Sequence, residues 1–332
     1  MSSDSSKTPP TIEKEDVFLD NTLRPETFEE YIGQSHIKKN LAVLLEAAAI
    51  RNHTPEHLLF YGPPGLGKTT MAHLIAKHSK KQIKITSGPA IEKVGDLASI
   101  LTNLSGGDIL FIDEIHRLNK SIEEILYPAL ESGVLDIIIG KGPSARSIQL
   151  ELPPFTLIAA TTRIAMVSSP LRSRFSGGVF KLEFYTVDEI EQIIKRSAHI
   201  LNITLEVDAG FEIASRSRFT PRTANYLLRR CRDIAQIEKT TLSKELVQKA
   251  MHMLDIDSLG LMKSDRDILR TIIEKYKGGP VGSSTLAVSL SEEIGTIEEF
   301  HEPYLIQLGL IERTPRGRVV TDLAYEHLGL NR

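Results

Sequence analysis

The apolar positions of this chain follow two kinds of pattern, and the change between them divides it. Leu58-Leu59-Phe60, Ile109-Leu110-Phe111-Ile112 and Leu157-Ile158-Ala159-Ala160 are short unbroken apolar runs, as expected of strands buried on both faces of a parallel sheet. Helical spacing over 37–50, 71–78, 96–103 and 121–132 supplies the covering helices, and 82–86 alternates as a further strand. Strands and helices taking turns predict an α/β domain whose ligands sit at the carboxyl ends of the strands.

From residue 187 the pattern turns purely helical, over 188–201, 209–217, 221–237 and 244–254, which predicts a separate all-helical unit. A third unit follows: helices over 264–277, 284–290 and 298–308, then two short strands around the turn Thr314-Pro315-Arg316-Gly317. Three helices followed by a hairpin are the order of a winged helix. A second hairpin, spanning about 134–152 with Gly140-Lys141-Gly142-Pro143 between its strands, interrupts the α/β region. Its residues Ile137 to Ile139 either meet a protein partner or pack on their own domain. The first residues, rich in Ser, Lys, Thr, Pro and Glu without apolar periodicity, predict a mobile tail.

Composition narrows the picture only a little. The 332 residues, 41% hydrophobic and 25% charged, suit two or three globular domains. A net charge of -3 gives no bulk attraction to nucleic acid, so any DNA contact has to come from a local basic patch. One cysteine, Cys231, excludes a disulfide framework and reads as a small half-buried side chain. No run reaches the length of a membrane span and the N-terminus lacks a signal-peptide core, so a cytoplasmic location is expected.

The chemistry begins at Gly62-Pro63-Pro64-Gly65-Leu66-Gly67-Lys68-Thr69-Thr70, directly after an apolar strand and before a helix. This is the spacing of a phosphate-binding loop: glycines let backbone amides close on a polyphosphate, Lys68 reaches the β and γ phosphates, and the Thr69 hydroxyl ligates Mg²⁺. Asp113 and Glu114 end the strand 109–112, where Asp113 binds Mg²⁺ and Glu114 orients and deprotonates the attacking water of ATP hydrolysis. Thr161 or Thr162, at the end of the next apolar strand, is placed to meet the γ-phosphate or that water. His116 has no second His or Cys at ligand spacing and reads as a local structural residue.

Other segments leave two readings open. Leu23 and Arg24 precede a proline and either line an adenine pocket or belong to a surface linker. Arg172 and Arg174 are solvated surface charges or a finger that stabilises a phosphoryl group in a neighbouring molecule. Arg222, in the first turn of a helix opened by Pro221, reaches back to a nucleotide or joins a basic stripe. Arg313, Arg316 and Arg318 are the best DNA-contact candidates, although winged helices also serve as protein interfaces.

Taken together, the phosphate-binding loop, Asp113-Glu114-Ile115-His116-Arg117, Ala160-Thr161-Thr162-Arg163, Pro170-Leu171-Arg172-Ser173-Arg174-Phe175, Thr220-Pro221-Arg222, Gly278-Gly279-Pro280-Val281-Gly282 and Arg313-Thr314-Pro315-Arg316-Gly317-Arg318 resemble the RuvB family. These are AAA+ motors that branch-migrate Holliday junctions. The loop and the acidic pair are shared by AAA+ proteins generally, whereas the inserted hairpin and the basic wing are specific. The resemblance implies a tail over 1–21, an ATPase domain over 22–185, a helical lid over 186–255 and a winged-helix head over 256–332.

It further implies that Leu23, Arg24, Gly65, Lys68, Thr69, Thr70, Glu131, Ser132, Gly133, Tyr185 and Arg222 hold ATP, with Thr69 and Asp113 on Mg²⁺. Lys68, Asp113, Glu114, Thr161 and the finger Arg174 would carry catalysis, and Arg313, Arg316 and Arg318 would hold duplex DNA. The implied partners are RuvA at the hairpin, RuvC in a resolving complex, and further copies in a hexameric ring. A clamp-loader-like scaffold is the rival reading. One departure is visible: Ser176-Gly177-Gly178 lengthens by one residue the turn after Arg174-Phe175.

Overall fold

Alternating burial explains the central sheet. In β1 (Leu58–Tyr61), Leu58 and Phe60 enter one apolar cluster and Leu59 the other, so a strand with helices on both faces has no polar position to offer. The computed structural model describes residues 22–139 and 146–331. The strands continue as β2 (Ile83–Ser87), β3 (Ile109–Asp113), β4 (Val134–Ile139), β5 (Arg146–Glu151), β6 (Thr156–Thr161) and β7 (Gly178–Lys181). The sheet runs β2-β3-β6-β1-β7, and every pairing in it is parallel. Its order reverses around β1, which opens a crevice at the carboxyl ends of β1, β3 and β6.

β4 and β5 stand outside this sheet as an antiparallel pair, with Val134 opposite Glu151 and Ile139 opposite Arg146. Leu135 at the base is fully buried in the core of the α/β unit, whereas Ile148 is exposed. The hairpin tip 140–145, the side chains of Ile137 to Ile139 and the expected tail lie outside the described residues.

Four helices, Val187–Ile200, Val207–Ser215, Pro221–Glu238 and Lys244–Met253, form the next unit. Ile190, Ile194, Leu227 and Leu228 share one continuous apolar cluster with the Phe60 face of the sheet. The last unit has its own core around Ile268, Leu269, Leu305 and Ala324. It contains helices Lys263–Tyr276 and Ser283–Leu290, then β8 (Ile311–Thr314) and β9 (Gly317–Val320), paired antiparallel as a wing. The helix expected over 298–308 runs without a break from Ile294 to Gln307, with Ile294–Thr296 and Glu302–Gln307 joined by a π-helical turn Ile297–His301.

A buried polar knot joins the second and third units. Arg218 donates to Asp265 at 2.6 Å and to the Phe300 carbonyl at 2.9 Å, and its guanidinium lies 4.5 Å from the centre of the Tyr304 ring. His301 Nδ1 lies 2.6 Å from the other Asp265 oxygen. Burial pushes the Asp265 carboxyl up, but His301 and Arg218 outweigh it and hold it below the ordinary value.

Candidate functional site

The loop leaving β1 turns through Gly65 and Gly67 at φ of +82° and +96° into the helix Lys68–His78. A Cβ on Gly67 would stand 2.7 Å from the Tyr31 hydroxyl, and one on Gly65 would stand 3.1 Å from Cβ of Arg222. Both positive φ and neighbouring elements therefore demand glycine here. The Tyr31 and Tyr185 hydroxyls are 3.0 Å apart, and both lie within 3.3 Å of the Leu66 carbonyl oxygen. Burial pushes the Tyr185 phenol up to about 12, so it remains a donor across the neutral range.

Lys68 is buried, and its Nζ donates to the carbonyl oxygens of Gly62 and Pro63 at 2.8 and 2.9 Å. Burial pulls its pKa from 10.5 down to about 8, against the upward pull of Asp113 and Glu114. A cation held by neutral carbonyls in this way is poised for an anionic ligand. Asp113 closes β3 and accepts the Glu114 backbone N–H at 2.9 Å. Glu114 follows at φ of +49°, a conformation that costs a non-glycine residue roughly 1 kcal/mol or more and recurs at active sites.

The Glu114 carboxylate is steered from two sides. Its Oε2 lies 3.3 Å from the Thr162 hydroxyl oxygen and 3.1 Å from His116 Nδ1. Burial drives the His116 pKa down and outweighs the attraction of Glu114, which keeps the ring neutral at physiological pH. That same Nδ1 lies 2.9 Å from the Thr161 hydroxyl.

Lys68, Asp113, Glu114 and Thr162 face a cavity of about 330 Å³. Leu23, Arg24, Gly65, Lys68, Thr69, Thr70, Asp113, Glu114, Tyr185 and Arg222 all line it. Arg222 comes from the helical unit: Pro221 begins its helix, the Thr220 hydroxyl accepts from Thr223 N–H at 3.3 Å, and Arg222 N–H reaches the Gly65 carbonyl at 3.5 Å. The threonine is placed otherwise than expected. Thr161 is fully buried behind the cavity, and Thr162 lines it.

Sequence reasoning missed Tyr31, Arg196 and Asn225, which also line the cavity. Arg196 holds the entrance segment by donating to the Leu23 carbonyl at 2.8 Å and to Glu30 at 2.7 Å. Its signal is indistinct, one arginine on an amphipathic helix.

The arrangement suits ATP and Mg²⁺ chemically. The glycine cradle, the buried cation, the Thr69 hydroxyl and the Asp113 carboxylate converge on one space. Among the described residues no cluster of three His, Cys, Asp or Glu offers an all-protein metal site. Mg²⁺ characteristically takes only one or two protein ligands beside phosphate oxygens.

Glu131, Gly133 and Arg174 lie elsewhere, on a second cavity of about 480 Å³ that also touches His57 and Phe155. Arg174 pairs with Glu131 at 2.9 Å, donates to the Pro170 carbonyl at 2.6 Å and lies 4.2 Å from the centre of the Tyr127 ring. Ser132 caps the end of the helix Lys120–Glu131. The turn Ser176-Gly177-Gly178 is tied down behind the arginine: Gly177 N–H donates to the His57 carbonyl at 3.0 Å and Gly178 N–H to the Phe175 carbonyl at 3.1 Å.

The wing separates its three arginines. Arg316 is exposed on the turn, and Arg313 is exposed with its guanidinium 3.6 Å from Glu298 and Glu302. Arg318, expected as a phosphate contact, is buried: its Nε donates to Glu302, and one NH2 donates to Glu298 at 3.0 Å. Burial disfavours its charge, but the two carboxylates prevail and raise its pKa. Its charge is already matched inside the unit.

Three family models match in order: the Holliday junction DNA helicase RuvB P-loop domain over 23–182, the RuvB AAA lid domain over 185–257 and the RuvB C-terminal winged helix domain over 258–329. Among solved structures, the chain is similar to the Thermotoga maritima RuvB Holliday junction branch migration motor, with 49% identity and a TM-score of 0.86 over 94% of this chain and 99% of that one. Two mutants of the T. maritima protein are also 49% identical, with TM-scores of 0.87 over 93% of this chain and 99% of theirs.

Proposed function

Because this chain belongs to the RuvB family, we propose that it is an ATP-driven motor that pumps duplex DNA and branch-migrates Holliday junctions in recombination and repair. The observation that carries this reading is the separation of two half-sites: a phosphate cavity around Lys68, and Arg174 with Glu131 on a different cavity. A single copy then holds an incomplete centre, and a head-to-tail contact between copies completes it. Such contacts close into rings. We take the ring to be a hexamer, with Arg174, Glu131, Ser132 and Gly133 facing the neighbour's nucleotide.

The working units on this reading are ATPase 22–185, lid 186–255 and head 256–332. Leu23, Arg24 and Tyr185 border the base, while Gly65, Lys68, Thr69 and Thr70 take the phosphates. Thr69 and Asp113 would hold Mg²⁺, which when bound neutralises charge on the transferring phosphoryl group. Glu114, aimed by Thr162 and His116, orients a water and accepts its proton. Lys68 and the neighbour's Arg174 balance the charge that develops.

Arg222 joins the nucleotide to the lid, so occupancy of the cavity biases the lid, and the Arg218–Asp265–His301 knot carries that motion to the head. There Arg313 and Arg316 meet the DNA backbone, and Arg318 stiffens the wing from behind. The exposed side of the hairpin, including Ile148, would dock RuvA, with RuvC joining the assembly. Among the described residues no helix is long and apolar enough to cross a membrane, which accords with a cytoplasmic site of action.

The direct test is ATP-dependent dissociation of a synthetic four-way junction, with and without a junction-binding partner. Duplex products that require ATP and increase with the partner are expected. Hydrolysis without strand products in the partner's presence would overturn the motor reading and leave the loader-like scaffold.

A further inference from the structure

One turn of the head touches the wing, the ATP cavity's rim and the lid in consecutive residues. This is the π-helical turn Ile297–His301, a rare geometry that re-aims side chains and recurs at functional positions. Glu298 pairs with Arg318 at 3.0 Å and lies 3.6 Å from Arg313. Glu299 accepts from the Thr162 hydroxyl at 3.0 Å and pairs with Arg163. Phe300 offers its carbonyl to Arg218, and His301 meets Asp265.

The Thr162 hydroxyl has one hydrogen and two carboxylate acceptors: Glu299 at 3.0 Å and Glu114 at 3.3 Å. It can serve only one at a time. While it serves Glu299 it cannot steer Glu114 or donate to a phosphate, and a second carboxylate adds negative charge beside the cavity.

We propose that Glu299 is a positioning residue for ATP hydrolysis, supplied by the DNA-binding head of the same chain, which restrains Thr162 until the wing engages duplex DNA. The proposal rests on the assignment of Glu114 and Thr162 to the hydrolytic site. Release is built into the same turn. Arg313 is shared between Glu298 and Glu302, and one Glu302 oxygen is buried without a hydrogen-bond partner. A DNA phosphate competing for Arg313 withdraws one of the two cations shared by Glu298 and Glu302, and with Arg318 alone between them the repulsion of these two carboxylates grows. The turn loosens and Thr162 is freed for Glu114.

The test is steady-state ATPase of the full chain, with and without linear duplex DNA, in Glu299→Ala, Glu299→Gln, Arg163→Ala and the Glu299→Ala/Arg163→Ala double variant. Loss of Glu299 is expected to raise the DNA-free kcat about fivefold, at the lower edge of ordinary coupling between sites, with KM for ATP unchanged. The DNA-saturated kcat should stay at the wild-type value, so stimulation by DNA shrinks. Arg163→Ala, which removes the ion pair that holds the Glu299 carboxylate in place but leaves its bond to Thr162, should raise the DNA-free kcat less, and the double variant no more than Glu299→Ala alone.

A DNA-free kcat equal to or below wild type in Glu299→Ala, with an unchanged unfolding midpoint, would overturn the proposal; Glu299→Gln, whose amide oxygen still accepts from Thr162, should lie between wild type and Glu299→Ala. Glu114→Gln separates the two layers. If that variant keeps hydrolysing, the site assignment has failed; if it is dead while the Glu299 variants keep wild-type stimulation, only the restraint has failed.

Discussion

Lys68 and Arg318 are both buried cations, and the protein treats them in opposite ways. Lys68 rests on two neutral carbonyl oxygens and its pKa falls to about 8. Arg318 sits between Glu298 and Glu302 and its pKa rises. Taking a charge out of water costs several kcal/mol unless a partner repays it. At Lys68 part of that cost is left for a ligand to repay, so the burial is preparation for binding. At Arg318 the repayment is internal, so the burial is architecture. Two cations that look alike in sequence thus divide into a reader and a brace.

The largest effect should come from breaking the reader's circuit. Lys68→Ala and Arg174→Ala should each lower kcat for ATP by about 10³ or more, the usual worth of an arginine finger. An equimolar mixture that co-assembles should regain activity, since some seams then carry an intact Lys68 facing an intact Arg174; a steady-state ATPase assay of mixed rings decides it, and no recovery would put both residues in one subunit's site. Next comes the brace. Arg318→Ala leaves Glu302 buried with only Arg313 at 3.6 Å, so the head should lose about 3 kcal/mol by denaturant unfolding.

Arg316→Ala should instead leave stability unchanged, weaken duplex binding roughly tenfold and lower the salt slope by about one. Fluorescence anisotropy across a salt series checks this; equal stability losses for Arg316 and Arg318 would erase the contrast between them. The smallest effect is a proton. Since the Lys68 pKa lies near 8 in the free protein, a bound polyphosphate raises it, and a fraction of a proton should be taken up on binding at pH 8. The sign follows from the depressed value: nucleotide affinity is full below about pH 8 and falls by up to about tenfold per unit above it, toward the ordinary 10.5. Calorimetry in buffers of different ionisation enthalpy measures the uptake, which should vanish in Lys68→Ala.

Elements whose burial is uniform were readable from the chain. β1, β3 and β6 announce themselves because both faces are covered and nearly every position is apolar. β7 went unread: Gly178–Lys181 is four residues long, pairs only with β1 at the sheet edge and alternates between exposed and half-buried. The helix expected over 298–308 widens into a π-turn at Ile297–His301, where Glu298, Glu299 and His301 meet three different partners, none of them visible in helical periodicity. Thr161 and Thr162 differ by one step at a strand end, and only the packing of Thr161 behind His116 decides which hydroxyl faces the cavity.

The chain alone determined its three folding units and the residue types of its phosphate site, because periodicity and loop chemistry act between near neighbours. Tertiary structure decided which charges remain available. Arg318 and Glu302 are sixteen positions apart, and Thr162 and Glu299 are 137 apart. Charge pairing and hydrogen bonding operate over a few ångströms of space, a separation that only the folded chain sets.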